Sequence, residues 1–329
     1  MGEHALEVLV IGAAFVSLMV VFGTSGCSSH DTASAVTTIN EKTPFDGKRA
    51  FRHVEKLVAI GPHPSDSPGI REAQEYIREQ LAGLEIETRT NEFVATTPLG
   101  DKKMCNIVGV VEGTSPEVVI VGTHYETKFF DAFEFVGAND SGSSTGLVLE
   151  LGRILGPQRE GCTVWLTFFD GEECFKRWSA TDGLYGSRHF AEHLKTSGEL
   201  DRVKAVVVVD MIGDSYLQIK KDRGAPAWLV EAVWSSALEL GYTLYFTKGK
   251  ISVEDDHIPF RRAGIPAIDI IDFTYGRTYS DHRRNWHTPN DTIDKVSPDS
   301  LKTVGDVVHR ALGKIDSHVL AHATEVVSQ

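Results

Sequence analysis

Residues 203–210 read Val-Lys-Ala-Val-Val-Val-Val-Asp, and the four consecutive valines at 206–209 give the strongest indication of the fold in this chain. A continuous β-branched run is typical of a strand that is buried on both faces, because a strand with one face in water would alternate apolar and polar residues. A sheet buried on both faces lies between two layers of helices. The run therefore predicts an α/β/α sandwich.

Similar apolar runs occur on both sides of this strand, and amphipathic segments alternate with them. Ile70, Ala73, Ile77 and Leu81 recur at helical spacing and predict a helix over residues 69–84. Further helices are expected at 144–155, 184–196, 227–240 and 297–323. Strands are expected at 86–93, 106–111, 118–122, 163–169, 203–210, 242–246 and 267–271. The alternation has no linker or repeat, which favours a single α/β domain over residues 46–323 with a mixed, mostly parallel central sheet and a tail at 324–329.

The composition is that of an ordinary globular chain with an acidic balance. Of 329 residues, 41% are hydrophobic and 24% are charged, and the formal net charge is −13. Binding of nucleic acid requires clusters of Lys and Arg to neutralise phosphates. We therefore expect no nucleic-acid partner. A carboxylate-rich site would instead favour cationic or amino-terminal substrates.

The first residues have the pattern of an export signal. Val8 to Phe22 is an apolar run with the length of a signal-peptide core rather than of a full membrane span. Small residues then lead into Cys27, as at the cleavage site of a bacterial lipoprotein. Two features depart from that pattern, because no Lys or Arg precedes Cys27 and Thr24 stands where a larger aliphatic residue is usual. An uncleaved anchor and a wrongly assigned start are the alternatives.

This interpretation divides the amino terminus into two segments. Residues 1–26 would be a signal peptide, and residues 27–45, rich in Ser, Thr, Ala and Asp, would be a flexible tether. The mature protein would be exported, either periplasmic or anchored to a membrane through lipid on Cys27. We expect no other contact with a membrane.

Export would permit disulfides, but the remaining cysteines do not form a clear framework. Cys105, Cys162 and Cys174 are odd in number, and the first two each begin a strand-like run. Buried thiols are therefore favoured over a bridge between Cys105 and Cys162. No Cys-x-x-Cys or Cys–His spacing indicates a cysteine-bound metal.

Side chains that bind metals stand mostly at or just after the ends of the apolar runs. In chain order they are His124, Asp140, Glu172, Glu173, Asp210 and His287. Strand ends of α/β folds converge on one crevice. Two His with several carboxylates form a zinc-type donor set, and an extra carboxylate beside the ligands serves proton transfer in hydrolases and acyl-transfer enzymes. The set predicts a metalloenzyme, although the Glu172-Glu173 pair alone would be interpreted as a solvated acidic turn.

The order of these motifs resembles the zinc-dependent aminopeptidase and glutaminyl cyclase superfamily over residues 46–323. The motifs are His-Tyr-Glu at 124–126, Asn-Asp at 139–140, Gly-Glu-Glu at 171–173, the strand ending in Asp210, and His-Thr-Pro-Asn-Asp at 287–291. The resemblance implies that Asp140, Glu173 and His287 bind one zinc ion. It also implies that His124 and Asp210 complete a second site that shares Asp140, and that Glu172 is the general acid/base.

Asp-Asp-His-Ile-Pro-Phe at 255–260 is similar to the glutaminyl cyclase branch, whose members convert an amino-terminal Gln into pyroglutamate with loss of ammonia. In that branch the residue matching Asp255 hydrogen-bonds the residue matching Asp210, which diverts the latter from metal binding and leaves one zinc ion per chain. The resemblance therefore implies Glu172, Asp210 and Asp255 as catalytic residues, with His124 as a candidate for a second metal or a supporting role. A helix cap formed by the aspartates is the alternative, and His257 would then be a polar strut.

Aromatic residues near these motifs also match cyclase pocket positions. Trp178 and Trp286, together with Glu254, would contact a substrate that is a peptide or protein with an amino-terminal Gln. Either Trp taken alone could be a core residue. The chain departs from the cyclase pattern at Glu126, where Asp is usual, at His282, which stands near an aromatic pocket position, and in a long basic loop at 274–285, which could be a solvated surface loop.

Three functions are compatible with these residues. They are a glutaminyl cyclase, a dinuclear zinc aminopeptidase that hydrolyses amino-terminal residues, and a non-catalytic binding protein on the same scaffold. The number of metal ions separates the first two, and an intact Glu172 argues against the third. The sequence favours the cyclase and does not indicate an oligomeric state.

Overall fold

A five-stranded sheet forms the middle of the fold, and the four-valine run lies inside it as strand β4. The computed structural model describes residues 44–327, with side chains up to residue 322. The strands are β1 (Glu87–Thr97), β2 (Gly100–His124), β3 (Gln158–Phe169), β4 (Val203–Asp210), β5 (Ile219–Asp222), β6 (Phe246–Ile251) and β7 (Ala267–Ile271). Strands β5 and β6 pair with each other in a separate two-stranded sheet.

Eight α-helices surround the sheet within the described residues. They are α1 (Gly47–Ile60), α2 (Pro68–Gly83), α3 (Gly142–Leu155), α4 (Tyr185–Ser197), α5 (Ala227–Glu239), α6 (His257–Arg262), α7 (Tyr279–Asn285) and α8 (Pro298–Val327). Short 3-10 helices occur at Leu200–Arg202 and Ile293–Lys295. No helix between residues 44 and 327 combines the length and the apolar character needed to cross a bilayer.

Alternate residues of β4 face opposite helix layers, which is why the run is apolar at every position. Ala205, Val207 and Val209 pack in one core with residues of α1, α2, α3, α5 and α8. Val206 and Val208 pack in a second core with residues of α4 and α6. The predicted α/β/α sandwich is therefore confirmed.

Strand β3 is enclosed between the two halves of β2. The second half of β2 runs parallel to β3, with Val118 opposite Thr163 and His124 opposite Phe169. The first half runs antiparallel to β3, with Ile107 opposite Phe168 and Val111 opposite Val164. The two strands predicted at 106–111 and 118–122 are these halves. Because β1 is antiparallel to β2, whereas β4 and β7 are parallel additions, the sheet is mixed and mostly parallel, as predicted.

The predicted elements differ from the structure in several places, and β5 and α6 are among the elements that were not predicted. The segment 242–246 is a turn rather than a strand: the amides of Tyr245 and Phe246 both donate to the carbonyl of Tyr242, and Phe246 only begins β6. Helix α1 was not predicted, although Ala50, Val54 and Leu57 are buried at helical spacing and the side chain of Asp46 caps the first turn. Helix α7 occupies part of the basic segment expected as a loop.

The boundaries of the predicted domain shift slightly. Phe45, assigned to the tether, is buried with its ring against Gly305 of α8, so this residue packs with the domain. Helix α8 continues through Val327, which includes most of the predicted tail. The signal peptide, Cys27 and the rest of the tether lie outside the described residues and stay predictions. Cys105, Cys162 and Cys174 are buried free thiols, as favoured from the sequence.

The close approach of α1 and α3 generates a prediction about stability. A Cβ atom on Gly146 would lie 2.6 Å from the carbonyl oxygen of Ala50 and 3.1 Å from a methyl group of Val54. Gly146→Ala should therefore lower the free energy of unfolding by about 1–3 kcal/mol, because two backbones must separate. Gly83→Ala is the control, since nothing lies within 4 Å of its Cβ position. It should leave stability unchanged or raise it by up to about 1 kcal/mol in denaturant titrations. Equal stabilities would contradict the packing described.

Candidate active site

The predicted site residues meet at the carboxyl ends of the central strands. His124 is the last residue of β2, Asp210 is the last residue of β4, and the Glu172-Glu173 pair follows the end of β3 after two residues. Asp140 lies just before α3 and His287 just after α7. All six side chains are buried or half-buried, and they surround one crevice, as the strand-end argument predicted.

Asp140 stands between two groups of metal-binding side chains. One carboxylate oxygen, Oδ2, lies 3.3 Å from Nε2 of His287, which is also 2.7 Å from Oε1 of Glu173. The other oxygen, Oδ1, lies 3.2 Å from Nε2 of His124, which is 3.3 Å from Oδ1 of Asp210. Donor atoms around a tetrahedral zinc ion with bonds of about 2.0 Å are about 3.3 Å apart. Both groups therefore have the spacing of a metal site.

Donor atoms of the second group, which contains His124 and Asp210, also lack hydrogen-bond partners. Both ring nitrogens of His124 and Oδ1 of Asp210 are buried without a hydrogen bond. Buried polar atoms are normally paired, so these atoms are free to bind a cation. The negative charge around His287 also suits a cation. Burial lowers the pKa of His287, but the charges of Glu173 and Asp140 outweigh this effect and raise that pKa to about 9. The residues present fit a metal of the zinc class.

Glu126, which departs from the cyclase pattern, supports both groups. Its Oε2 lies 3.6 Å from Nδ1 of His124, and its Oε1 accepts a hydrogen bond of 3.0 Å from the amide of Glu173. The additional methylene therefore lets one carboxylate face the ring of His124 and also fix the backbone of Glu173.

Asp291 holds the backbone that presents Asp140. Its carboxylate accepts hydrogen bonds from the amide of Asn139 at 2.8 Å and from the amide of Asp140 at 3.1 Å, and the hydroxyl of Tyr275 donates to it at 2.5 Å. The sequence analysis quoted Asp291 as part of a motif but assigned it no role. Tyr275 was not singled out, because the sequence does not show its approach across 16 residues.

Lys128 is a second residue that sequence reasoning missed, although it belongs to the stretch around His124. Its ammonium group donates to Oε2 of Glu173 at 2.8 Å and to the carbonyl of Cys174 at 2.9 Å, and it lies 3.1 Å from the Cys174 sulfur. The side chain is largely buried. Lys128 therefore hydrogen-bonds to the Glu173 oxygen that does not face His287.

The three predicted catalytic carboxylates are close enough to change one another's titration. Burial and the charge of Glu173 raise the pKa of Glu172 well above its usual range, and Asp255 contributes in the same direction. Burial, followed by the charges of Asp210 and Asp256, raises the pKa of Asp255 well above its usual range. Neighbouring buried carboxylates cannot all ionise and must share protons. Glu172 thus belongs to a set of buried carboxyl groups that share protons.

A cleft of about 410 Å³ opens onto these carboxylates. Its apolar walls are formed by Trp178, Met211, Val253, Ile271, Phe273 and Trp286. The indole nitrogen of Trp178 donates to Glu254 at 3.0 Å, which places Glu254 on the same wall. Both predicted tryptophans therefore line the cleft.

Two residues near this wall differ from expectation. Phe273, which the sequence analysis did not select, packs against Trp286 with ring centroids 5.2 Å apart. His282, expected near an aromatic pocket position, stacks on Trp286 at 5.0 Å and is not among the residues that line the cleft. The helix-cap interpretation of the aspartates is not supported: Asp256 precedes α6, but its side chain makes no capping hydrogen bond.

The family model of peptidase family M28 matches residues 106–312, and the chain belongs to this family. Among its relatives, the glutaminyl-peptide cyclotransferase of Drosophila melanogaster is 29% identical over 260 residues, which cover 70% of this chain and 72% of that protein. The glutaminyl-peptide cyclotransferase of Bos taurus is 28% identical over 278 residues, which cover 72% of this chain and 75% of that protein.

Solved structures agree with these relatives. A glutaminyl cyclase from an Acidobacteriales bacterium is 38% identical, with a TM-score of 0.79 over 83% of this chain and 96% of that chain. The glutaminyl cyclase of Porphyromonas gingivalis is 26% identical, with a TM-score of 0.76 over 83% of this chain and 99% of that chain. The resemblance to glutaminyl cyclases inferred from the motifs is confirmed.

Asp291→Asn should weaken metal binding without contacting the metal. The amide group would place a donor against one of the two backbone N–H groups of residues 139 and 140, so Asp140 would be held less firmly. Losing a supporting partner of this kind costs about 10–100-fold in metal affinity. Competition titrations with a zinc chelator measure the change. Tyr275→Phe is the control, because it removes one hydrogen bond and leaves both backbone contacts. An Asp291→Asn affinity equal to that of Tyr275→Phe would contradict the role of the backbone contacts.

Lys128 generates a second prediction about metal binding. Lys128→Met removes the charge beside Glu173 and leaves the second carboxylate oxygen of Glu173 unpaired. The zinc dissociation constant should therefore rise by about tenfold or more. Lys128→Arg keeps the charge and should retain most of the affinity. Chelator competition measures both variants, and equal effects of Met and Arg would show that packing, not charge, is what Lys128 contributes.

Proposed function

We propose that this protein is a zinc-dependent glutaminyl cyclase, which converts the amino-terminal Gln of peptides or proteins into pyroglutamate and releases ammonia. One observation carries the proposal. Glu172, a buried carboxyl group with a raised pKa, lines the same aromatic cleft as the metal-type group Asp140, Glu173 and His287. The glutaminyl cyclases to which the chain is similar support the assignment.

Asp140, Glu173 and His287 would hold one zinc ion. Bound zinc supplies Lewis acidity, which polarises the γ-carbonyl group of the Gln side chain. The expectation of a single ion rests on Asp255. Burial, followed by the charge of Asp210, raises its pKa, which is consistent with a proton shared between these carboxylates in place of a second cation.

Glu172 would move the proton that the reaction requires. The α-amine of the substrate attacks its own γ-carbonyl carbon, a C–N bond forms, and the bond to the amide nitrogen breaks. Glu172 accepts a proton from the attacking amine and delivers it to the departing nitrogen, which leaves as ammonia. The raised pKa of Glu172 makes it a better proton acceptor than an ordinary carboxylate, which suits it to this role.

The other cleft residues would position the substrate. Asp210 and Asp255 provide negative charge for the amine, whereas Trp178, Phe273 and Trp286 provide an apolar wall against which a short side chain can bend. Alignment of the amine with the carbonyl lowers the barrier by several kcal/mol when the reacting atoms are well placed. Glu254, which is hydrogen-bonded to Trp178, would fix that wall and contact the substrate near the rim.

A dinuclear aminopeptidase is the second candidate, and a specific observation favours it. His124 lies 3.2 Å from Asp140 and 3.3 Å from Asp210, so every side chain of a second metal site is in place. In that case Asp210 would bind metal, and Glu172 would activate water for hydrolysis. The chain is similar to proteins named as cyclases, which makes this candidate the weaker one.

The test uses two peptides that differ only in the first residue, Gln or Leu, incubated with zinc-loaded protein and examined by mass spectrometry. We expect loss of ammonia from the Gln peptide and no change in the Leu peptide. Glu172→Gln should lower kcat by about 10²–10⁴-fold, since proton transfer by a positioned side chain contributes that much. Glu192→Gln, at an exposed position on α4, is the control and should be fully active. Release of free Leu would instead support the aminopeptidase.

A further inference from the structure

A third group of metal-type side chains lies beside the catalytic carboxylates and has no part in the reaction proposed above except through Asp255. It consists of Asp255, His257 at the start of α6, and Asp269 in the middle of β7. All three side chains are buried, with exposed fractions of 1–2%. One donor atom from each lies within 4.8 Å of the others, which is compact enough for a single ion.

The donor atoms of this group have no partners. Oδ2 of Asp255, both ring nitrogens of His257 and both carboxylate oxygens of Asp269 are buried without a hydrogen bond. Leaving one such atom unpaired typically costs about 1–3 kcal/mol, and more when the group is charged. Unpaired atoms on three neighbouring buried side chains therefore indicate that something bound among them satisfies at least one atom of each. The interpretation of His257 as a polar strut does not explain its two free nitrogens.

The surrounding residues leave the charge of this group uncompensated. Arg261 donates to Asp222 and to the carbonyl of Ala267. Asp222 also accepts hydrogen bonds from the amides of Gly224 and Asp269. The hydrogen bonds of the Arg261–Asp222 ion pair are therefore complete without Asp255 or Asp269. These two residues remain as buried carboxyl groups next to the ion pair. Asp256 adds a third carboxyl group whose oxygens are also unpaired.

The position of the His257 ring suits a metal ligand. Its Nδ1 lies 3.9 Å from Oδ2 of Asp269, and its Nε2 lies 3.8 Å from Oδ2 of Asp222. A carboxylate behind one ring nitrogen is the arrangement that orients a metal-binding histidine and directs its other nitrogen to the ion. The 3.9 Å separation is about half an ångström wider than the edge of a zinc tetrahedron, a difference that small side-chain rotations remove.

We propose that Asp255, His257 and Asp269 bind a divalent metal ion of the zinc class at a buried site that adjoins the active site and shares Asp255 with it. One nitrogen and two carboxylate ligands match the donors that such ions take, and water completes the coordination. The ion would tie the start of α6 to β7. Through Asp255 it would also fix a carboxylate that lines the catalytic cleft, so it would support the active site without touching the substrate.

Protons and a buried water are the competing occupants. Burial, followed by the charges of Asp255, Asp210 and Asp222, raises the pKa of Asp269 well above its usual range. Two protonated carboxyl groups could therefore satisfy part of the group by donating to each other or to a water molecule. A metal ion would displace these protons, because carboxylate ligands bind metals in their ionised form.

Anomalous diffraction from crystals of the zinc-loaded protein, recorded above and below the zinc absorption edge, tests the proposal directly. We expect an anomalous peak among Asp255, His257 and Asp269 in addition to the peak at the active site. The measurement needs no variant, so it does not depend on whether a substitution folds. Ordinary density without an anomalous signal would identify water and overturn the proposal.

Metal content gives an independent measurement. After dialysis against metal-free buffer, Asp269→Asn should contain one equivalent of zinc less than the parent protein, whether the active site holds one ion or two. Asp272→Asn is the matched control, because Asp272 is a buried aspartate just after the same strand whose two oxygens already accept hydrogen bonds from Gln218 and Thr274. Circular dichroism confirms that both variants are folded. Equal zinc content in the parent protein and Asp269→Asn would overturn the proposal and leave the proposed cyclase activity unaffected.

Discussion

The structure depends on how buried negative charge is held at the carboxyl ends of the sheet. Asp140 faces two histidines with its two oxygens, and its backbone is fixed by Asp291, which is itself a buried carboxyl group. Charges of this kind are costly inside a protein unless they are paired or coordinate metals. Histidines and Lys128 meet part of that requirement, a bound metal ion would meet more of it, and the same arrangement produces a carboxyl group fit for proton transfer.

The reaction therefore follows from unequal surroundings of similar groups. Glu172 and Glu173 are neighbours in sequence, yet Glu173 contacts His287 and Lys128 whereas Glu172 lies near further acids. These environments lower the pKa of Glu173 and raise that of Glu172. Two carboxyl groups whose pKa values differ in this way can divide the work, one binding metal and the other transferring protons. The aromatic wall lines the cleft beside both of them.

The sequence predicted the sandwich and the metal-type residues because both leave a local pattern. A run of valines indicates a doubly buried strand wherever it lies, and polar residues at strand ends converge through topology alone. The roles of Lys128 and Asp291 and the position of Phe273 depend on approaches between distant segments, which no local pattern shows. The segment 242–246 was wrong for a related reason: its aromatic residues favour a strand, but Tyr242 donates to Asp306 of α8 and the chain turns there.

The enclosure of β3 has a consequence for the durability of the site. The loop that carries Glu172 and Glu173 leaves a strand with β-sheet neighbours on both sides, and that strand is covered by helices on both faces. Segments of this kind exchange their amide hydrogens only when the whole domain opens, whereas peripheral loops open locally at little cost. Fluctuations at the rim can thus admit and release peptides while the two glutamates keep their places. Glu172 and Glu173 thus stand next to the part of the fold that opens last.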